Sequence, residues 1–187
     1  YLSENGIPVV SSESLLIASA EAVRVVTALL QFISYPDDLQ ARATALDFLE
    51  KEKRLGQNEA DDLKTTGISG SVNSFFGILS RMSAGKFCRD EVLKLPLYES
   101  VEYIADAFSL WTRGQDAYLT AFLDIVADFV KDESASVVAF LEHWETKKST
   151  ASIPASDTGN AVTLMTIHKA KGLEFPVVIV ADCAKQF

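Results

Sequence analysis

The chain has 187 residues, 48% hydrophobic and 23% charged, a composition that excludes intrinsic disorder and allows one domain with a real core, or one domain plus fragments. Its formal net charge of −9 excludes a surface built to coat a phosphate backbone. The charge is uneven: residues 161–187 carry Lys169, Lys171 and Lys185 against Glu174 and Asp182, whereas residues 1–160 carry 14 basic and 24 acidic residues. A local basic strip could still touch nucleic acid. Cys88 and Cys183 lie far apart, without a C-x-x-C pair or a companion His cluster. That spacing argues against a disulfide scaffold or a structural zinc, and predicts two reduced, mostly buried thiols. No apolar run approaches the roughly 20 residues that span a bilayer. No signal peptide is legible, so a cytoplasmic location is expected. Tyr1 is not Met, which reads as the interior of a longer reading frame or the product of tag removal.

In chain order, "IPVV" at 7–10 follows Asn5-Gly6 and reads as a turn feeding a strand. "SSES" supplies hydroxyls for capping. A helix follows over "ASAEAVRVVTALLQFIS", with Ser19 as its expected cap. Its expected inner face is Val23, Val26, Thr27, Leu30 and Ile33, and Tyr35-Pro36 ends it. "DDLQARATALDFLEKEKRL" reads as a second helix with Leu39, Leu46 and Leu49 inward and Gly56 closing it. Residues 57–70 are polar and Gly-containing, and read as loop with at most a short helical turn. "SVNSFFGILSRMSAG" is a helix ending at Gly85, with Phe75, Phe76, Leu79 and Met82 inward. "LYESVEYIADAFSLW" places Leu97, Val101, Ile104, Ala105 and Phe108 on one face. "GQDAYLTAFLDIVADFVKD" does the same with Leu119, Phe122, Leu123, Val126 and Val130. "SASVVAFLEHWETKKS" follows, with Ser134 as its expected cap and Val137, Phe140, Leu141 and Trp144 inward. Here His143 reads as a surface or packing residue. Residues 149–159 have linker composition.

The expected fold class is therefore mainly α: a helical domain inserted between strands of one α/β sheet. The boundaries fall at 1–17 for the first strand-bearing stub, 18–159 for the helical insertion and 160–187 for a strand-turn-strand stub. "AVTLMTI" and "FPVVIVA" are near-continuous apolar runs, and read as central strands covered on both faces. Beyond the carboxyl end of the first of them, where open α/β sheets bind ligands, stand Thr166, His168, Lys169, Lys171, Gly172 and Glu174. Lysines offer point charges to a polyanion, Thr and His short donors, and Gly a close backbone approach. Glu174 is costly beside phosphates unless it accepts from hydroxyls, so a ribose is its natural target. The same residues would serve equally as a plain polar turn between two core strands. A lone histidine such as His168 is more often a packing or capping residue than a ligand.

The stretch "VTLMTIHKAKGLEFPVVIV" closely resembles motif V of superfamily 1 DNA helicases of the UvrD/Rep/RecB class: T-[IL]-H-x-[AS]-K-G-L-E-F-P followed by an apolar strand. "YLSENGIPVVSSESLLIAS" and the helix after it resemble the stretch in that class where a strand of the second RecA-like domain leads into the helical 2B insertion. The middle resembles 2B in length and character alone. The resemblance implies a motor using ATP and Mg2+ on single-stranded and duplex DNA. Thr166 and His168 would face the DNA backbone, Lys171 and Gly172 the nucleotide phosphates, and Glu174 the ribose; Lys169 falls where the family varies. "FLEHWETKKS" and "IHKAKGLEFPVVIV" look more like the RecB/AddA helicase–nucleases of DNA repair and recombination than like Rep or UvrD. The 187 residues contain no G-x-x-x-x-G-K-[ST] loop, no acidic magnesium motif and no arginine-bearing motif VI. No catalytic residue, bound cofactor or resident metal is therefore expected here, and ATP turnover by the chain alone is not expected. The partners implied are DNA, the other motor domains and a partner subunit, with no membrane. The competing reading is a free-standing helical interaction module with a helicase-like tail.

Overall fold

The computed structural model of the chain describes residues 9–11, 15–53, 57–111, 116–132, 136–153 and 162–180. The chain divides into a helical unit, Glu13–Ala155, and a second unit made of Tyr1–Ser12 with Ser156–Phe187. The fold is mainly α.

In the helical unit a 3-10 turn, Ile17–Ser19, leads into α1, Glu21–Ser34. Ser19 does not cap α1: its hydroxyl donates to the Leu16 carbonyl at 2.7 Å, and Ala20 holds the N-cap position without a side-chain bond. The expected single inner face also understates α1. Ala22, Val25, Leu29 and Phe32 are buried as well as Val23, Val26 and Leu30, while Thr27 and Ile33 are half-buried. A helix that is apolar nearly all round is one surrounded by others. Here α2 (Leu39–Lys53), α6 (Leu97–Ala107), α7 (Asp116–Asp132) and α8 (Val137–Lys147) all pack on it.

Asp38 caps α2 by accepting from the Gln40 and Ala41 amides at 2.9 and 3.0 Å. Those bonds, that of Ala41 first, hold its carboxyl below the ordinary range. Leu46 and Leu49 point inward as expected, but Leu39 in the first turn is exposed. Arg42 is 3% exposed and, among the described residues, pairs with no carboxylate. Its Nε and Nη2 donate to the Pro36 carbonyl at 3.0 and 2.6 Å, and its Nη1 to Gly70 at 2.8 Å. Its guanidinium also lies over the rings of Phe32 and Phe75. Carbonyl dipoles and ring faces thus replace the water that a buried cation loses.

Residues 57–70 are not loop. They form α3, Gln57–Ser69. Leu63 is buried, and Gly67 is there for space: an added Cβ would stand 2.6 Å from Cδ1 of Leu46, itself fully buried. A glycine that reads as a loop signal is instead the contact that lets α3 approach α2. Next comes α4, Val72–Met82, capped by the Ser71 hydroxyl, which accepts from the Ser74 amide. Gly85, at φ +80°, ends the turn after α4 by donating to the Ser80 carbonyl at 2.7 Å. A short α5, Arg89–Val92, precedes α6.

The expected inner faces of α6 and α7 are buried, apart from a half-buried Val130. For α8, Ser136 is the cap, accepting from the Ala139 amide, and the expected Ser134 lies outside the described residues. His143 packs its ring against that of Phe129, centroids 5.1 Å apart and tilted by 46°. Cys88 departs from expectation: it is exposed, because it occupies the N-cap position of α5 at the surface, its amide donating to the Tyr103 hydroxyl. Cys183 and Gly56 lie outside the described residues.

The two ends of the helical unit meet. Leu16 and Ser152 form an antiparallel bridge, flanked by Ile17 N–H to Ala151 O and Ile153 N–H to Leu15 O, both 2.9 Å.

In the second unit β1, Val9–Ser11, pairs in parallel with β2, Val162–Leu164, in the register Val9 to Val162, Val10 to Thr163 and Ser11 to Leu164. Parallel strands need a long crossover, and here the whole helical unit lies between them in sequence. The expectation of two central strands covered on both faces is corrected. All of β2 is exposed, and residues 175–180 of the "FPVVIVA" run form no strand. Among the described residues no further strand supplies a ladder for them, and a strand without a ladder leaves its amides unpaired.

Candidate functional site

The candidate site begins where β2 ends. After Leu164 the chain passes through Met165 and Thr166 into a single helical turn, α9, Ile167–Ala170. The Thr166 carbonyl accepts from the Ala170 amide at 3.0 Å, and the Ala170 carbonyl from the Leu173 amide at 3.0 Å. Gly172, at φ +83°, turns the chain out of α9 in the left-handed region, where a side chain would be strained. The basic segment is thus a strand, a helical turn and a glycine stop rather than a plain turn. The signal for it was present: Thr166 and Gly172 are start and stop residues around Ile-His-Lys-Ala.

Thr166, His168, Lys171, Gly172 and Glu174 all fall within this nine-residue stretch, and all are exposed. Among the described residues no ion pair ties Lys171 to Glu174 or to another carboxylate. The side chain of Lys169 is outside the described set. The arrangement presents two donors, His168 and Lys171, with one acceptor carboxylate, beside a glycine that leaves the backbone bare. Such a set can hold a phosphate at one end and a hydroxyl at the other. Among the described residues no group of three or more His, Cys, Asp or Glu could hold a metal, and no helix is long and apolar enough to cross a membrane.

Residues 100–187, which include this turn, match the family described as the UvrD-like helicase C-terminal domain. The whole chain aligns at 27% identity over 218 positions with an ATP-dependent helicase/nuclease chain of Acetivibrio thermocellus, covering 17% of that protein. About half of it, 49%, aligns at 35% identity over 94 residues with the ATP-dependent DNA helicase PcrA of Staphylococcus aureus, covering 12% of that protein. PcrA of Staphylococcus epidermidis aligns to the same extent. The chain spans less than a fifth of the length of these relatives.

Proposed function

We propose that this chain is a segment of an ATP-dependent DNA helicase in which residues 18–159 are a helical insertion of the 2B type and residues 1–17 and 160–187 belong to the second RecA-like motor domain. The observation that carries the reading is topological. Two parallel strands, Val9–Ser11 and Val162–Leu164, are separated in sequence by a helical unit whose ends are bridged at Leu16 and Ser152. An inserted domain must leave and re-enter its host at neighbouring points, and a parallel pair belongs to an α/β sheet.

In this reading Thr166 and His168 contact the DNA backbone, Lys171 and Gly172 approach the nucleotide phosphates, and Glu174 accepts from the ribose. ATP and Mg2+ act in the parent protein, whose other motor domains supply the phosphate loop and the magnesium carboxylates. The helical unit carries no chemistry; it regulates unwinding and contacts the duplex or a partner protein. The helicase–nuclease branch is favoured over the PcrA-like branch because the Acetivibrio helicase/nuclease aligns with the whole chain and PcrA with half.

The test uses the full-length gene product. Lys171→Ala and Glu174→Ala are expected to lower DNA-stimulated ATP turnover about tenfold or more, the scale of a lost charge-assisted hydrogen bond. Thr166→Ala should weaken single-stranded DNA binding and leave nucleotide affinity in place. Unchanged turnover and DNA affinity in all three variants would make an interaction module with a helicase-like tail the better reading.

A further inference from the structure

Within the helical unit a cavity of about 670 Å3 lies among α1, α2 and α8, and a second of about 500 Å3 lies between α7 and the end of α8. Both fall in the roughly 300–1,000 Å3 range of small-molecule sites, but their charges differ. The larger sets Asp38, Glu142 and Glu145 against Arg24 and Lys148, and Lys148 is already paired with Glu145. An anion gains little there. The only carboxylate lining the smaller cavity is Asp128, which pairs with Lys131 at 2.9 Å. Its remaining charge is Lys147, which among the described residues pairs with no carboxylate. An unpaired surface lysine is ordinary by itself. Lys147 differs in what stands beside it.

His143, Lys147 and Ala151 recur at every fourth residue, so they share one face of α8 continued into the turn after it. Ile125 and Phe129 share a face of α7 in the same way. Phe129 is buried, and its ring meets that of His143 to make an aromatic wall. The Thr146 and Thr150 hydroxyls donate to the His143 and Lys147 carbonyls at 2.7 and 3.2 Å. Those carbonyls therefore need nothing from the cations of the last turn. The imidazole nitrogens of His143 and the Lys147 ammonium make no hydrogen bond among the described residues. One more contact matters: the Ala151 carbonyl accepts from the Ile17 amide at 2.9 Å, so the cavity abuts the bridge that joins the ends of the helical unit.

We propose that the α7–α8 cavity is a site for a small aromatic carboxylate, held by Lys147 and His143 and resting on Ile125, Phe129 and Ala151. The two oxygens of a carboxylate match two donors, and its single charge matches the single free ammonium. A dianionic phosphate would bring one negative charge more than the cavity supplies, and would face Asp128. An aromatic body suits the wall, since rings packed edge-on or offset gain beyond their buried area. The ligand would lean on Ala151 and so steady the bridge between Ile17 and Ala151. The site uses neither DNA nor nucleotide, and stands apart from the helicase reading.

The experiment titrates phenylacetate into the 187-residue chain, with calorimetry for affinity and amide hydrogen exchange for position. Saturable binding of one molecule per chain is expected. Benzyl alcohol, which keeps the ring and loses the charge, should bind about tenfold or more weakly, and so should the exposed variant Lys147→Gln with phenylacetate. Lys147→Arg should retain binding. At saturation the Ile17 amide should exchange more slowly. No saturable binding, or equal binding by Lys147→Gln, overturns the proposal. Acetate binding as well as phenylacetate also overturns it, because the cavity would then take an adventitious ion only. Displacement of phenylacetate by a single-stranded oligonucleotide would replace the small acid with a phosphodiester. An Ile17 amide whose exchange is unchanged at saturation would place the ligand elsewhere and remove the site.

Discussion

The helical unit and the second unit use the same apolar residues to opposite effect. Val23 and Val26 in α1 are fully buried, whereas Val177 and Ile179 are 77% and 86% exposed. The difference lies in what each segment needs in order to bury itself. A helix satisfies its own backbone and needs only a neighbouring face, and α2, α4, α6, α7 and α8 all lie against α1. An extended run such as Val-Val-Ile-Val needs strands on either side as well as a covering layer. Exposed apolar β-formers without charge are an association hazard.

The largest expected effect tests the helical side of that contrast. Phe75 is fully buried, its ring 4.5 Å from Phe32 and beneath the Arg42 guanidinium. Phe75→Ala should cost about 3–5 kcal/mol, seen as a lower denaturant midpoint at unchanged slope. A loss below about 1 kcal/mol would mean that this core is not close-packed.

A smaller effect is expected at Asp38. Asp38→Ala should cost about 1 kcal/mol near neutral pH, by removing the cap of α2. Its folded pKa lies below the ordinary 3.8, so the stabilisation is present above that value and is lost as pH falls through the lower folded value. The wild-type and variant stability curves should therefore converge on acidification below about pH 4. A gap that stays constant into strong acid would show that the carboxylate is not the cap.

The smallest effect belongs to the second unit. Ile179→Ser should change stability by less than about 0.5 kcal/mol, while reducing concentration-dependent self-association seen by light scattering. A loss on the scale of Phe75→Ala would collapse the contrast, since it would mean that the segment is packed in solution.

The legible elements were those whose period decided their face. The inner residues of α6 and α7 follow from i, i+3, i+4 spacing, and tertiary packing agrees with them. Misreadings came where one residue type serves two purposes. Gly67 read as loop because glycine usually relieves backbone, whereas here it makes room for Leu46. Cys88 read as buried because free thiols usually are, yet it sits at a surface helix start. Arg42 gave no signal at all: nothing local to "ARATALDF" says that its guanidinium will be enclosed by carbonyls from Pro36 and Gly70.

At the candidate site the residue types, their order from Thr166 to Glu174 and their likeness to a helicase motif are properties of the sequence alone, since donors, acceptors and bare backbone are set by residue identity. So was the mainly helical character, because hydrophobic period is written residue by residue. Only tertiary structure decided that Val9–Ser11 lies parallel to Val162–Leu164, that the ends of the helical unit meet, and that Arg89 reaches back to Asn73. Those facts join residues far apart in the chain, and such contacts form only once the intervening segments have collapsed around a shared core.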